Sequence, residues 1–439
     1  MDETPAPVRD ADFIPATELR AEQERRWQRQ AAYLAARSDF HRRLWLGRTP
    51  PARLDALVEL PMADKEMLRA DQRAHPPFGT YLAADPATIT RIHRTSGTTG
   101  QAMNLALSVA DIRTTAAVGG RGFRASGLGP GYRVVHTLNY QLWMGGLSDH
   151  LNLEATGAAV VPFGVGNSER LVETIREMGI DAISCTPSYP AVLERTLAEH
   201  FPGMRPRDLG LRLGLFGGEA GLDDLAFRGR LEDSWGFKVR NANYGVSDVL
   251  CLFGAQCEAT NDLHLLGCDA LWHEIVDADT GVSKPWRAGE TGELVLTHLA
   301  KDCQPLARFR SGDIVTLTAL DRCACGRHAP RLRVVGRADD MVVVRGLNVF
   351  PTSVVAVAHL FKELSGEFRI VLPGPGPYDA LPLEVELAEG RTASPALAEA
   401  VAQAVKRHIG ASARVTLLPW RALPRTEGKT RRVIRSSIN

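Results

Sequence analysis

The stretch His93-Arg94-Thr95-Ser96-Gly97-Thr98-Thr99-Gly100-Gln101 alternates small hydroxyl residues with glycine. A loop of that make-up can turn its backbone N–H groups and its Ser/Thr hydroxyls toward one concave point, which suits phosphate oxygens. It does not satisfy G-x-x-x-x-G-K-[ST], so it is not a P-loop. On composition alone a flexible surface turn fits these residues equally well, and the rest of the chain has to decide.

Downstream, between residues 130 and 300, short apolar runs recur at 132–138, 158–163, 181–186, 211–216 and 293–299. Helical stretches lie between several of them. In 168–178, Leu171, Val172, Ile175 and Met178 fall on one face at helical spacing, and 222–235 behaves similarly. Strands alternating with helices predict an α/β domain with a largely parallel sheet. Upstream, 16–47 is rich in Arg, Glu and Ala and predicts an exposed helix or helix pair. Its arginines resemble those of a transit peptide, but its acidic residues weaken that reading.

The last hundred residues change character. Runs at 341–345, 368–372, 383–387 and 413–418 read as strands. Between the last two lies a helix with clear punctuation: Ser394 caps it, Pro395 suits its first turn, and Gly410 ends it. Leu397, Val401, Val405 and Ile409 step by four along one face. The expected division is an N-terminal domain over 1–335 and a small α+β domain over 336–439.

The chain has 439 residues, with 52 Lys+Arg against 51 Asp+Glu and a formal net charge of +1. That balance argues against a general nucleic-acid binder. No apolar run reaches membrane-spanning length, and the start, MDETPAPVRDADF, does not read as a signal peptide. Seven cysteines, an odd number scattered through a long chain, suggest a reducing compartment, so a cytoplasmic location is expected.

Taken together, the motifs resemble those of a known superfamily. Thr95-Ser96-Gly97-Thr98-Thr99-Gly100 is similar to the ATP loop of adenylate-forming enzymes, which include acyl-CoA synthetases, luciferases and peptide-synthetase adenylation domains. Gly217-Gly218-Glu219-Ala220 resembles their adenine-contacting segment. Asn243-Tyr244-Gly245-Val246-Ser247-Asp248 resembles the motif that holds the adenine ring and the metal. Arg308-Phe309-Arg310-Ser311-Gly312-Asp313 resembles the ribose motif, and Gly336-Arg337-Ala338-Asp339-Asp340-Met341 the interdomain hinge. Leu423-Pro424-Arg425-Thr426-Glu427-Gly428-Lys429 resembles the segment with the catalytic lysine. Six motifs in register span nearly the whole chain. Phe78-Gly79-Thr80, Tyr140-Gln141-Leu142-Trp143-Met144-Gly145-Gly146-Leu147 and Phe350-Pro351 resemble one branch, the phenylacetate–CoA ligase group.

The resemblance implies a large α/β adenylate-forming domain with parallel-rich sheets and a small mobile α+β domain carrying the catalytic lysine. It also implies a two-step reaction. An aromatic carboxylate attacks the α-phosphate of ATP to give an acyl-adenylate and pyrophosphate, and the CoA thiol then attacks the adenylate. Both partners in the first step are anions, so the site must neutralise charge and hold an in-line geometry. Lys429 is the expected bridging charge. By composition alone it would read as one solvated cation among Arg425, Arg431, Arg432 and Arg435. Asp313 is expected on the ribose hydroxyls, Arg337 on phosphate or ribose oxygens as a second catalytic residue, and Asp339 as the hinge.

The expected nucleotide contacts are Thr95, Ser96, Gly97, Thr98, Thr99, Gly218, Glu219, Ala220, Asn243, Tyr244, Gly245, Ser247, Asp313 and Arg337, with Asp248 on Mg²⁺. Two departures stand out: Gln101 replaces the usual lysine after the loop, and Asp248 is shorter than the usual glutamate. Tyr140, Trp143, Gly145, Gly146, Pro187, Ser188, Gly217 and Gly245 are expected around the acid, where aromatic walls and glycines make a flat slot. A ligand-free hydrophobic core is the plainer reading of the same residues.

Cys257, His264, Cys323 and Cys325 offer three thiolates and an imidazole, the donors that suit tetrahedral Zn²⁺. Their spacing alone fits buried free thiols equally well. The resemblance favours a structural zinc, because members of this branch can carry one. Two other functions remain open: adenylation followed by transfer to an amine, a hydroxyl or a carrier-protein thiol, and a nucleotide-binding protein with a decayed site. Partners are a small aromatic acid and an acyl acceptor, with neither nucleic acid nor membrane. A homodimer is allowed, though the sequence does not show the oligomeric state.

Overall fold

The computed structural model, which describes residues 10–95, 102–345, 347–374, 378–424 and 432–435, gathers the alternating segments into one sheet of 11 strands. Five of those strands run parallel. They lie side by side in the order Ala159–Pro162, Arg133–His136, Ala182–Cys185, Leu213–Gly217, Lys238–Val246. Ala182–Cys185 and Leu213–Gly217 are buried along their whole length, as expected of central strands covered on both faces. Helices Met144–Glu154, Ser168–Glu177, Tyr189–His200 and Leu225–Trp235 make the crossovers. In Ser168–Glu177 the face Leu171, Val172, Ile175 is buried, and the Asn167 side chain accepts from Arg170 N. Met178, expected on that face, is the exposed C-cap residue.

The chain goes from Arg133–His136 outward to Ala159–Pro162, then returns to the other side of Arg133–His136 as Ala182–Cys185. This reversal is a topological switch point. It opens a crevice beyond the carboxyl ends of the strands, where ligands of open α/β sheets bind. The sheet continues antiparallel through Leu250–Gln256, Leu263–Leu265, Arg331–Arg337, Phe309–Ala319, Thr291–His298 and Leu271–Val276. A separate hairpin pairs Arg91–Arg94 with Asn104–Leu107.

The N-terminal segment is a helix pair, Ala16–Arg37 and Asp39–Leu44, with Ser38 capping the second. It is less exposed than its charge suggested. Trp27 and Leu34 are fully buried and pack with Trp45, Leu54, Leu57, Leu299 and Ala307. The arginines occupy the outer side, where Arg25 and Arg26 pair with Glu22.

The C-terminal part has its own core and its own four-stranded sheet, ordered Ala413–Leu418, Leu381–Leu387, Leu364–Leu372, Val433–Arg435. Helix Pro395–Ile409 forms as its punctuation predicts: Ser394 accepts from Leu397 N, Gly410 takes φ 87°, and Val401 and Val405 are fully buried. Val433–Arg435, which pairs parallel with Leu364–Leu372, is too short to leave a periodic signal. The two parts touch where the His359 ring packs on Phe227 (4.7 Å between centroids) and where the Arg195 guanidinium lies over the Trp420 ring (5.9 Å). Among the described residues no helix is long and apolar enough to cross a membrane.

Candidate active site

The carboxyl ends of Arg133–His136, Ala182–Cys185, Leu213–Gly217 and Lys238–Val246 bring together most of the residues expected around the acid. His136 ties the first strand to the following helix. Its Nε2 faces the carbonyls of Gly145 and Gly146 (3.2 and 3.0 Å) and its Nδ1 faces Ser184 Oγ (3.1 Å). Carbonyls only accept, so Nε2 carries the proton and Nδ1 accepts from Ser184. Burial holds this imidazole down at about 4, with the glycine carbonyls opposing. Gly146 sits against backbone: a Cβ there would lie 2.2 Å from Asn139 O and 2.7 Å from Tyr140 Cα. At Gly145 the three atoms nearest a Cβ would all belong to the Trp143 ring, at 2.8–3.0 Å.

On the neighbouring strands, Pro187 is buried and Ser188 is exposed, with Ser188 N donating to Glu219 Oε2 (3.2 Å). Burial raises the Glu219 pKa, partly offset by that hydrogen bond. Gly218 and Ala220 are exposed beside it. Gly217 lies against Asn243, where a Cβ would come within 2.5 Å of the Asn243 Cβ. Asn243 Nδ2 in turn donates to Asp149 Oδ2 (2.6 Å). Gly245 is equally restricted, since a Cβ would fall 1.9 Å from Cys251 O.

Next to this slot lies a continuous polar chain. Tyr244 Oη donates to Asp313 Oδ2 (2.9 Å), Arg337 Nη1 donates to Asp313 Oδ1 (3.0 Å), and Arg337 Nε donates to Asp339 Oδ1 (2.8 Å). Burial and the Asp313 carboxylate push the Tyr244 phenol pKa well up, so it stays a donor. Burial pulls Arg337 down, but Asp313 and Asp339 outweigh it and keep the guanidinium charged. Gly312, at φ 76°, makes room for Arg337: a Cβ would sit 2.6 Å from Nη2. Buried Glu293 pins the turn by accepting from Gly312 N (3.0 Å) and pairing with Arg310. Ser247 is half-buried, and Asp248 is buried with its Oδ2 held by Lys65 Nζ (2.9 Å). The other oxygen of Asp248 has no hydrogen-bond partner.

Thr95 closes the neck of the glycine-rich loop: its N donates to Met103 O (2.9 Å) and its Oγ1 accepts from Met103 N (3.0 Å). Arg94 N donates to Leu142 O (2.8 Å), which sets this neck beside the Tyr140–Trp143 segment expected around the acid. Ser96, Gly97, Thr98, Thr99, Gly100, Gln101 and Lys429 lie outside the described residues.

Away from the slot, Cys257, His264, Cys323 and Cys325 converge, with all four donor atoms within 4.8 Å of one another. Cys257 Sγ is 3.9 Å from Cys323 Sγ, and Cys325 Sγ is 3.6 Å from His264 Nε2. The edges of a Zn²⁺ tetrahedron with Zn–S and Zn–N bonds are about 3.5–3.8 Å, so the donor set fits that ion. His264 Nδ1 faces Ala329 O (3.0 Å), which leaves Nε2 facing the cysteines.

Sequence reasoning missed His136, Asp149, His150 and Lys65. Asp149 and His150 follow Gly145 and Gly146 by four residues, so helical spacing from the acid segment was the signal available. Burial raises the Asp149 carboxyl to about 7, against the hydrogen bonds from Asn243, Cys251 and Asn152.

Residues 346–436 match the family described as AMP-binding enzyme C-terminal domain. Over 99% of its length the chain superposes on 95% of 2-hydroxyisobutyryl-CoA ligase in the postadenylation state, with a TM-score of 0.88 and 30% identity. The same enzyme in the thioesterification state gives 0.71, so the two parts of this chain are arranged more as in the former state. The fold and the small domain are those of an adenylate-forming enzyme. The chain is also 35% identical to phenylacetate-coenzyme A ligase from Thermus thermophilus, over 97% of this chain and 98% of that one. It is 34% identical to the Pseudomonas putida protein of that name, over 86% and 84%. The chain therefore belongs to the phenylacetate–CoA ligase family and is an AMP-forming acid–thiol ligase.

Proposed function

We propose that this enzyme activates an aromatic carboxylic acid, phenylacetate-like or a substituted benzoate, with ATP and passes the acyl group from the adenylate to the thiol of CoA. The observation that carries this reading is the placement of the Tyr140–Trp143 segment and of the Tyr244–Asp313–Arg337 chain at the carboxyl ends of strands of one sheet. Family membership supports it.

In this reading the acid lies among Tyr140, Trp143, Gly145, Gly146, Pro187, Ser188, Gly217 and Gly245. The nucleotide lies over Gly218–Ala220 and Asn243–Ser247, with Asp313 on the ribose. Each Asp313 oxygen already accepts one protein hydrogen bond and keeps a lone pair for a ribose hydroxyl. Ser96–Thr99 hold phosphates. Lys429 bridges the acid carboxylate and the α-phosphate, and Arg337 offsets charge beside the ribose. Asp339 is the hinge between domains 1–335 and 336–439, and rotation there withdraws Lys429 and admits the thiol. The buried, unpartnered oxygen of Asp248 suits a single carboxylate ligand to Mg²⁺, whose bound form supplies charge neutralisation at the phosphates. A zinc ion in the Cys257–His264–Cys323–Cys325 cluster is structural, because four protein ligands leave no open position.

The test is acid-dependent ATP–pyrophosphate exchange over a panel of aryl and alkyl acids, followed by product analysis with and without CoA. Aryl-dependent exchange with acyl-CoA formation is expected. Lys429→Ala should abolish exchange while the protein stays folded; full activity in that variant would refute the role given to Lys429.

A further inference from the structure

We propose that His150 is a positioning residue for the acid slot: by accepting the hydroxyl proton of Tyr140, it lets the slot take aryl acids whose ring bears no polar substituent. The inference rests on the reading of Tyr140 as an acid-slot residue.

Tyr140 lies just past the carboxyl end of Arg133–His136, at the switch point of the parallel sheet. Its ring is held edge-on by His136 (5.5 Å between centroids, 84°) and by His150 (6.0 Å, 65°). Gly164 closes a third side, since even a Cβ there would make ordinary contact with Tyr140 Cδ2 at 3.6 Å. The ring therefore has a fixed place.

The hydroxyl is equally constrained. Tyr140 Oη is 3.0 Å from His150 Nδ1, and His150 Nε2 is 3.1 Å from Glu154 Oε1. His150 and Glu154 stand four residues apart on Met144–Glu154, one helical turn. A carboxylate can only accept, so Nε2 carries a ring proton, and in the neutral imidazole Nδ1 is then the lone-pair acceptor. In that tautomer Tyr140 is the donor. Burial, with Glu154 and Asp149 nearby, pushes the phenol pKa up, so the proton stays on oxygen.

The consequence is one of selectivity. A pocket whose buried donor relies on the substrate for a partner rejects analogues that lack one, because the donor is then left unpaired. Here the protein supplies the partner. An unsubstituted ring can pack against Tyr140 without orphaning its hydroxyl, while a ring hydroxyl gives up water for little return.

The experiment compares kcat/KM for phenylacetate with that for its 3- and 4-hydroxy derivatives, using acid-dependent pyrophosphate exchange by the full-length enzyme. The wild type should favour phenylacetate. His150→Phe should lower that preference by about tenfold or more, chiefly through KM, because Tyr140 then needs an acceptor that only the hydroxylated acids bring. His150→Gln, whose amide oxygen can accept from Tyr140, should restore the ratio to within about threefold of wild type. A loss of packing would depress all the acids alike and leave the ratio unmoved. Should His150→Phe not fold, Glu154→Leu serves instead, because that residue is exposed and its loss frees the His150 tautomer; the ratio should then fall by about threefold. An unchanged ratio in a folded, active His150→Phe or Glu154→Leu enzyme overturns the proposal. Absence of exchange with every aryl acid in the wild type overturns the acid-slot reading itself, a distinct result.

Discussion

Replacing Gly146 by alanine tests the acid slot with a single carbon. The new Cβ would lie 2.2 Å from Asn139 O, 2.7 Å from Tyr140 Cα and 2.9 Å from Asn139 C. All three are backbone atoms, so no rotamer change relieves the contact. Separations below 3.0 Å are essentially never seen, so the 139–140 backbone or the helix start must move by about 0.8 Å, the difference between 3.0 and 2.2. A displacement near 1 Å at a positioning element costs on the order of 10²-fold in rate. At about 1.4 kcal/mol per tenfold, that is about 2.8 kcal/mol of transition-state stabilisation. Overpacking should also lower folding stability by about 1–3 kcal/mol. The assay is pyrophosphate exchange with acid and ATP varied separately, beside thermal unfolding. The expected result is a loss of about 10²-fold in kcat/KM for the acid with a much smaller change in KM for ATP. Gly145→Ala is the control. Its Cβ would meet the Trp143 ring at 2.8 Å, and a side chain can swing aside, so a loss of less than about tenfold is expected. A Gly146→Ala enzyme with kcat/KM for the acid within about threefold of wild type would refute the reasoning.

Tyr244→Phe removes the donor to Asp313 and should raise KM for ATP by about tenfold, leaving KM for the acid nearly unchanged; separate titrations of the two substrates check this. Metal analysis of the purified protein should find one zinc per chain, and Cys323→Ser should remove it and lower Tm. Acid should destabilise the fold. Burial holds His41 and His298 at about 3 and His136 and His273 at about 4, so their contribution is complete above the ordinary histidine value of 6.5 and is lost as pH falls below it. Asp149, raised to about 7, acts in the opposite sense: its contribution is present below 3.8 and lost as pH rises through 7. Asp149→Asn should therefore steepen the loss of unfolding free energy between pH 7 and 4, measured by denaturant titration; an unchanged slope would contradict the assignment.

Much of the fold was legible because its elements carry local punctuation. Ser394, Pro395 and Gly410 bracket a helix that forms between them, and the runs at 181–186 and 211–216 became central strands. The misses share a cause. The charged face of 16–47 hid Trp27 and Leu34, whose burial depends on Leu299 and Ala307 far along the chain. Val433–Arg435 is a strand only because Leu364–Leu372 offers it an edge.

The site divides in the same way. By itself the sequence determined which residue types could do the chemistry and the order of the six motifs, because glycines, caps and hydroxyl-rich turns act over a few neighbouring residues. It also named the three cysteines and the histidine that converge, though their spacing could not show that they meet. Tertiary structure decided the pairings. Tyr244 reaches Asp313 across 69 residues, Cys257 reaches Cys323 across 66, and Lys65 reaches Asp248 across 183. It also decided which polar groups are already satisfied, as Tyr140 is by His150. A buried polar group must find a partner wherever the sheet places one. The sheet order that sets those partners follows from crossovers burying apolar faces over the whole chain, which no local stretch encodes.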